Sequence, residues 1–190
     1  MLVWAVMMRG PREDVARRAA TLVGLAVVVI GLDQLTKLLV AKELVLGQSI
    51  PVIPKVFHLT LVHNTGMAFG LLSGADLPFK SLFVTLVSVL ALGAVLYYAL
   101  SSAPAERVTR FGLALILGGA LGNIIDRIRL GYVIDFLDVF YRTAHWPAFN
   151  LADSAICVGV GLLILESLRH QSPAMTTEGD VPVEARRGGS

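Results

Sequence analysis

Four long apolar runs alternate with stretches where acids, amides, prolines and glycines gather. The first run, Ala19–Val40, is apolar through Leu32 apart from Thr21, then meets the polar string DQLTK at Asp33–Lys37. The others are Ser81–Ser101, Val108–Ile128 and Ala152–Leu168. A helix crosses a bilayer with about 20 mostly apolar residues, so each run predicts a transmembrane helix. Arginines at 9, 12, 17 and 18 before the first run also fit a signal peptide. No small-x-small cleavage site follows, and the run therefore reads as a retained helix. The pattern changes over Ala41–Phe79, which carries Pro51, Pro54, Pro78, a set of β-branched residues and the string HNTGMAFG. That predicts short strands and a Gly-rich turn outside the membrane.

The expected fold class is an all-α membrane protein. It has four transmembrane helices and a small extracytoplasmic β-containing element between helices one and two. The expected divisions are an N-terminal segment at 1–18, a four-helix membrane domain at 19–168 and a polar, disordered tail at 169–190. Gly118 and Gly122 on helix three, and Ala155 and Gly159 on helix four, give small-xxx-small faces for close helix packing.

Composition strengthens the membrane reading. The 190 residues are 55% hydrophobic and 16% charged, with mean hydropathy +0.73. Soluble domains carry about a quarter charged residues. A net charge of +2 gives no signal for nucleic acid. The basic residues bear on topology instead. Four spans put both termini on one side, and the arginines before helix one, between helices two and three and after helix four place that side in the cytoplasm. Lys42, Lys55, Lys80 and Arg142 fall on the other side and weaken the bias. The single cysteine, Cys157, has no internal disulfide partner and reads as a small apolar residue.

Span count alone brings the unusual polar residues together. Helix one runs outward, so Asp33 and Lys37 lie near its outer end. Asn64 lies in the outer element. Helix three also runs outward and ends in Asn123, Asp126 and Arg127. Asp135 and Asp138 follow in the outer loop, and Asn150 and Asp153 open helix four. Charged groups at membrane depth are costly and usually functional. Each also has a bland reading. Asp33 and Lys37 form a favourable i,i+4 helical pair. Asn123, Asp126 and Arg127 could satisfy one another. Asn150 and Asp153 fit a helix-capping box. Asp138 reads as a solvated loop acid. His58, His63 and His145 read as interfacial polar residues, and Tyr141 and Trp146 as an aromatic belt.

Two carboxylates held close share a proton and titrate as a unit. The ionised acid can take a proton from water while its partner donates to a carbonyl, as in aspartic proteases. Spacing does not say which two acids pair. A second reading is that the acids bind Mg²⁺, an oxygen-seeking ion, for an enzyme acting on a lipid phosphate. A third is a channel or transporter subunit with a polar vestibule.

Four blocks decide among these. DQLTK at Asp33–Lys37, HNTGMAF at His63–Phe69, GNIIDRIRLGYVIDF at Gly122–Phe136 and FNLADSAI at Phe149–Ile156 lie in order on four helices. The pattern resembles the bacterial lipoprotein signal peptidase (signal peptidase II) family over roughly Ala19–Leu168. The resemblance implies an aspartic endopeptidase of the cytoplasmic membrane. Such an enzyme removes signal peptides from prolipoproteins, cutting before a cysteine that carries a diacylglyceryl group. It implies Asp135 and Asp153 as the catalytic pair. Asp33, Asn64, Asn123, Asp126, Arg127 and Asn150 would bind substrate or brace the pair. No metal or other cofactor is implied. The partners would be lipid-modified prolipoproteins and membrane lipids, and a monomer suffices. The 41–79 element could cover the site.

Overall fold

The computed structural model describes residues 11–66, 79–102 and 106–170. The element order is α1 (Pro11–Glu43), β1 (Ser49–Ile53), β2 (Phe57–Asn64), α2 (Lys80–Ser102), α3 (Arg107–Leu130), β3 (Val133–Tyr141), β4 (Ala144–His145) and α4 (Leu151–His170). All four helices are long and apolar enough to cross a membrane. Helix α1 has 33 residues, or about 50 Å at 1.5 Å per residue, so it exceeds a hydrocarbon core of about 30 Å. It begins before Ala19 because the sequence from Pro11 to Arg18 is compatible with helix: a proline fits a first turn, and the Arg, Glu and Ala that follow are good helix formers.

Helix α3 is the centre of the bundle. It buries Leu113, Ala114, Ile116, Leu117 and Ile124 along with its glycines, while α1, α2 and α4 leave many Leu, Val and Ile side chains exposed. An apolar exterior of this kind suits lipid rather than water. Glycines set the close approaches. A Cβ on Gly112 would stand 2.9 Å from the Gly159 carbonyl, and one on Gly159 would stand 2.6 Å from the Gly112 carbonyl, so α3 and α4 cross backbone to backbone. Gly118 is pressed against Ala26 and Val29 of α1, and Gly119 against Ala152 of α4. Helix α3 ends at Gly131, whose φ of 81° lets its N–H donate back to the Arg127 carbonyl.

The all-α expectation is corrected by a four-stranded antiparallel sheet in the order β1-β2-β3-β4. Strands β1 and β2 come from the connection between α1 and α2, as the β-branched residues there predict. Strands β3 and β4 come from the connection between α3 and α4, which reads as a loop only if its acids are weighed above its VIDFLDVFY composition. β-Branched and aromatic residues suit a pleated, half-buried surface. The element therefore belongs to both connections, not only to the first. Residues 67–78, which include the second half of the HNTGMAFG string and Pro78, lie outside the described residues, as do 171–190 of the expected tail.

Period-two alternation splits β3 into two faces. Ile134 and Phe136 pack with Leu44 and Leu61 in a small core under the sheet. Val133 and Asp135 point to the opposite side. Strand β2 pairs with β3 through Val62 with Asp135 and Asn64 with Val133. Asn64 and Asp135 are thus diagonal neighbours on one face. Beyond the core, β3 is tied to the entrance of α4: Phe136 and Leu137 N–H groups donate to the Phe149 carbonyl at 3.0 and 2.8 Å, and Phe149 N–H donates to Leu137 at 3.1 Å.

Candidate active site

The polar residues of α1, α3, β3 and α4 meet at the sheet end of the bundle. Lys37 is 1% exposed and its ammonium has three acceptors for three hydrogens. These are Asp33 Oδ2 at 2.8 Å, Asp126 Oδ2 at 2.9 Å and Asn123 Oδ1 at 2.9 Å. Asp33 Oδ1 accepts the Ala152 N–H in the first turn of α4 at 3.0 Å, where the helix dipole favours a negative charge. Asp126 Oδ2 accepts the Ile134 N–H of β3 at 3.2 Å, and its Oδ1 accepts from Gln34 Nε2 at 2.9 Å. These two acids therefore clamp α1, α3, β3 and α4 to one another. Gly122 is glycine because a Cβ there would reach within 2.6 Å of Asp33 Oδ2.

Asp135 and Asp153 stand on the other side of Asn123. Asn150 caps α4: its Oδ1 accepts the Asp153 N–H at 3.0 Å, and its own N–H donates to Asp153 Oδ2 at 3.2 Å. This is the reciprocal capping box that the sequence predicts. It leaves Asp153 Oδ1 free of the cap, and the Asn123 side-chain amide donates to that oxygen at 2.8 Å. Asn150 Nδ2 donates to Asp135 Oδ1 at 2.7 Å, with Asn123 Oδ1 also near at 3.1 Å. Asn64 Nδ2 donates to Asp135 Oδ2 at 2.9 Å. Three asparagines thus fix two carboxylates that arrive from a strand and a helix. Asp135 is 1% exposed. Burial first, and then the nearby Asp153 charge, push its carboxyl up to about 7, against the opposing pull of Asn64, Asn150 and Lys37. It holds or releases a proton near neutrality, as an acid–base group needs.

Both acids open onto a cavity of about 880 Å³ between α2, α3 and α4. Its polar end carries Asn64, Asn123, Arg127, Asp135 and Asp153, and Trp146, Pro147 and Phe149 also line it. Apart from Ser88 and Ser154 the remainder is apolar, with Val84, Ala91, Leu92 and Val95 on α2 and Ile156, Val160 and Ile164 on α4. From Asp153 to Ile164 is eleven helical residues, or about 16 Å. Arg127 lies at the polar end, with Nη2 donating to the Gly66 carbonyl at 3.2 Å.

The family model described as signal peptidase (SPase) II matches residues 25–169. The chain belongs to the signal peptidase II family. It is 47% identical over 143 residues to a lipoprotein signal peptidase of Syntrophus aciditrophicus, covering 75% of this chain and 89% of that protein. It is 51% identical over 140 residues to one of Geobacter sulfurreducens, covering 74% and 86%. A solved bacterial membrane enzyme superposes with a TM-score of 0.71 at 33% identity, covering 85% of this chain and 94% of that one. The matched region holds every residue of the site and leaves out both ends of the chain.

All eight residues expected from the signal peptidase II pattern lie in this one assembly. Asn123 and Asp126 do not satisfy each other: Asn123 serves Lys37 and Asp153, and Asp126 serves Lys37, Gln34 and Ile134. Asp138 is not a solvated loop acid. Three residues on from Asp135, it falls on the opposite face of β3 and pairs with His145 Nδ1 at 2.8 Å. His145 stacks on Phe140, and His58 meets the same ring edge-on. His63 stacks on Tyr132 with centroids 3.8 Å apart, and burial lowers its pKa. Gln34, which touches Asp126 and is itself met by Arg129 Nη1 at 3.4 Å, has no signal in the sequence. A glutamine on a helix is ordinary until its neighbours are known. Lys37 is legible as the partner of Asp33 but not as the ammonium that joins α1 to both Asp126 and Asn123 of α3.

Proposed function

We propose that the chain is a membrane-embedded aspartic endopeptidase that removes signal peptides from diacylglyceryl-modified prolipoproteins, cutting before the lipidated cysteine. Asp135 and Asp153 are its catalytic pair. The observation that carries this reading is the seating of two carboxylates, from β3 and from the cap of α4, at the polar end of a long apolar cavity. Membership of the signal peptidase II family supplies the reaction.

The geometry supports a simple sequence of steps. The apolar segment of the signal peptide lies in the cavity, its length matched by the apolar walls of α2 and α4. The acyl chains stay in the bilayer and hold the scissile peptide at the polar end. One acid of the pair is ionised and takes a proton from water. The other is protonated and donates to the scissile carbonyl as hydroxide adds. Collapse of the tetrahedral intermediate returns a proton to the leaving amine. Asn64 and Arg127, at the same end, face the substrate backbone. Asn123 and Asn150 hold the two carboxylates, and Asp33 and Asp126 hold the frame. A monomer contains every group in this sequence, and the surrounding lipid completes the groove.

The same reading gives the topology. Both termini are cytoplasmic and the acid pair lies near the extracytoplasmic face of the inner membrane, in keeping with the arginine bias. The Mg²⁺ alternative is disfavoured by chemistry at the acid cluster. The Lys37 ammonium already occupies the point where Asp33, Asp126 and Asn123 oxygens converge.

The test is cleavage of a purified diacylglyceryl-modified prolipoprotein with EDTA present, with the products read by mass spectrometry. The expected product begins at the lipidated cysteine, and the unlipidated precursor is left intact. Cleavage that requires added Mg²⁺, or that ignores the lipid, would contradict the reading.

A further inference from the structure

A buried ammonium is the one charge in this site that the mechanism leaves without a task. Lys37 does not line the cavity, so it does not meet substrate. Its position is nonetheless special. It lies between the structural acids Asp33 and Asp126 and the amide that holds Asp153, and its three hydrogens are divided among them. Asn123 is the link. Its Oδ1 accepts from Lys37 at 2.9 Å and from Asn150 at 3.1 Å, and its Nδ2 donates to Asp153 at 2.8 Å. Two donors on the oxygen leave the amide one orientation, with its N–H towards Asp153. A cation on the oxygen also polarises the amide and strengthens the bond that it gives on its far side, as hydrogen-bonded chains do at low dielectric.

We propose that Lys37 is a positioning residue of the acid pair: its buried ammonium, anchored on Asp33 and Asp126, orients and polarises the Asn123 amide that holds Asp153. The inference rests on the assignment of Asp135 and Asp153 as the catalytic pair. The simpler view, that Lys37 only neutralises two structural acids, explains two of its three bonds. It does not account for the third, which is equally short.

The electrostatics point the same way. The charged groups around this point are Asp33 on α1, Asp126 and Arg127 on α3 with Arg129 beyond Gln34, Asp135 on β3 and Asp153 on α4. His63 on β2 stacks on Tyr132. Burial and the Asp153 charge push Asp135 up, and the Lys37 ammonium acts against both. Loss of that ammonium therefore moves the alkaline limb of the rate profile upward.

The experiment compares wild type, Lys37→Met, Asn123→Ala and the double variant in prolipoprotein cleavage across pH. Asp135→Asn serves as the inactive control. For Lys37→Met, kcat falls by about tenfold or more while KM stays within about twofold, because a group outside the cavity acts on chemistry and not on binding. The alkaline limb rises. In the Asn123→Ala background the same change costs much less, since the link is already gone. Lys37→Gln, which keeps donors but loses the charge, raises the limb with a smaller loss of kcat. A folded Lys37→Met enzyme with wild-type kcat and limb would overturn the proposal, and so would strictly additive losses. Failure of both Lys37 variants to yield helical protein would also overturn it, making Lys37 a folding residue alone. Failure of wild type to cleave, or cleavage by Asp135→Asn, would remove the assignment beneath it and the proposal together.

Discussion

At the scale of residues, the site separates four acids by what holds them. Asp33 and Asp126 have both oxygens occupied by an ammonium, backbone N–H groups or Gln34. Asp135 and Asp153 are held by neutral amides and face a cavity. Two acids held by amides in a buried site can share a proton. The pH dependence follows. Asp135 titrates at about 7, and one member of the pair must be protonated. Above that value the proton is lost and both acids are charged. kcat/KM is therefore expected to fall as pH rises through about 7, measured as initial cleavage rates at low substrate. A profile flat to pH 9 would contradict it. Asn150 has two jobs, and Asn150→Ala separates them. Loss of the cap lowers stability by about 1 kcal/mol, read from thermal unfolding in detergent. Loss of the bond to Asp135 lowers activity far more than that stability change explains.

At the scale of elements, glycine and strand register do the positioning. The α3–α4 crossing depends on Gly112 and Gly159, whose missing Cβ atoms let each backbone meet the other's carbonyl. Gly159→Leu is expected to force the helices apart and to lower stability by about 1–3 kcal/mol. The loss should appear as a lower Tm, with activity falling in step because Asp153 rides on α4. An unchanged Tm would mean that the crossing is looser than the close approach requires. The elements also show what was legible beforehand. The four helices follow from four apolar runs, and Asp33, Asn123, Asp126, Asn150 and Asp153 stand out as polar residues at their ends. The capping box at Asn150 and Asp153 is a local pattern and was readable as one. Strand β3 is not legible in the sequence, because its partner β2 lies some seventy residues away and its acids interrupt its β-branched and aromatic run. Asp135 was therefore found by motif rather than by fold. Gln34 and the third bond of Lys37 were out of reach, because both depend on contacts between helices that no local pattern encodes.

At the scale of the whole molecule, the bundle presents apolar side chains outward and gathers its buried charge at one end. That asymmetry needs a defined orientation. The proposed topology, with both termini cytoplasmic, predicts that a reporter active only in the cytoplasm works when fused after residue 170 and that one active only outside does not. The opposite result would place the acid pair on the cytoplasmic side. The central claim is chemical and needs a chemical test. The most direct measurement is the single-turnover rate of lipidated prolipoprotein cleavage in EDTA for wild type, Asp135→Asn and Asp153→Asn, with helical content checked by circular dichroism. The account predicts cleavage by wild type and a loss of at least about a thousandfold in each folded variant. Wild-type rates in either variant would contradict it and move the search for the catalytic acid to Asp126.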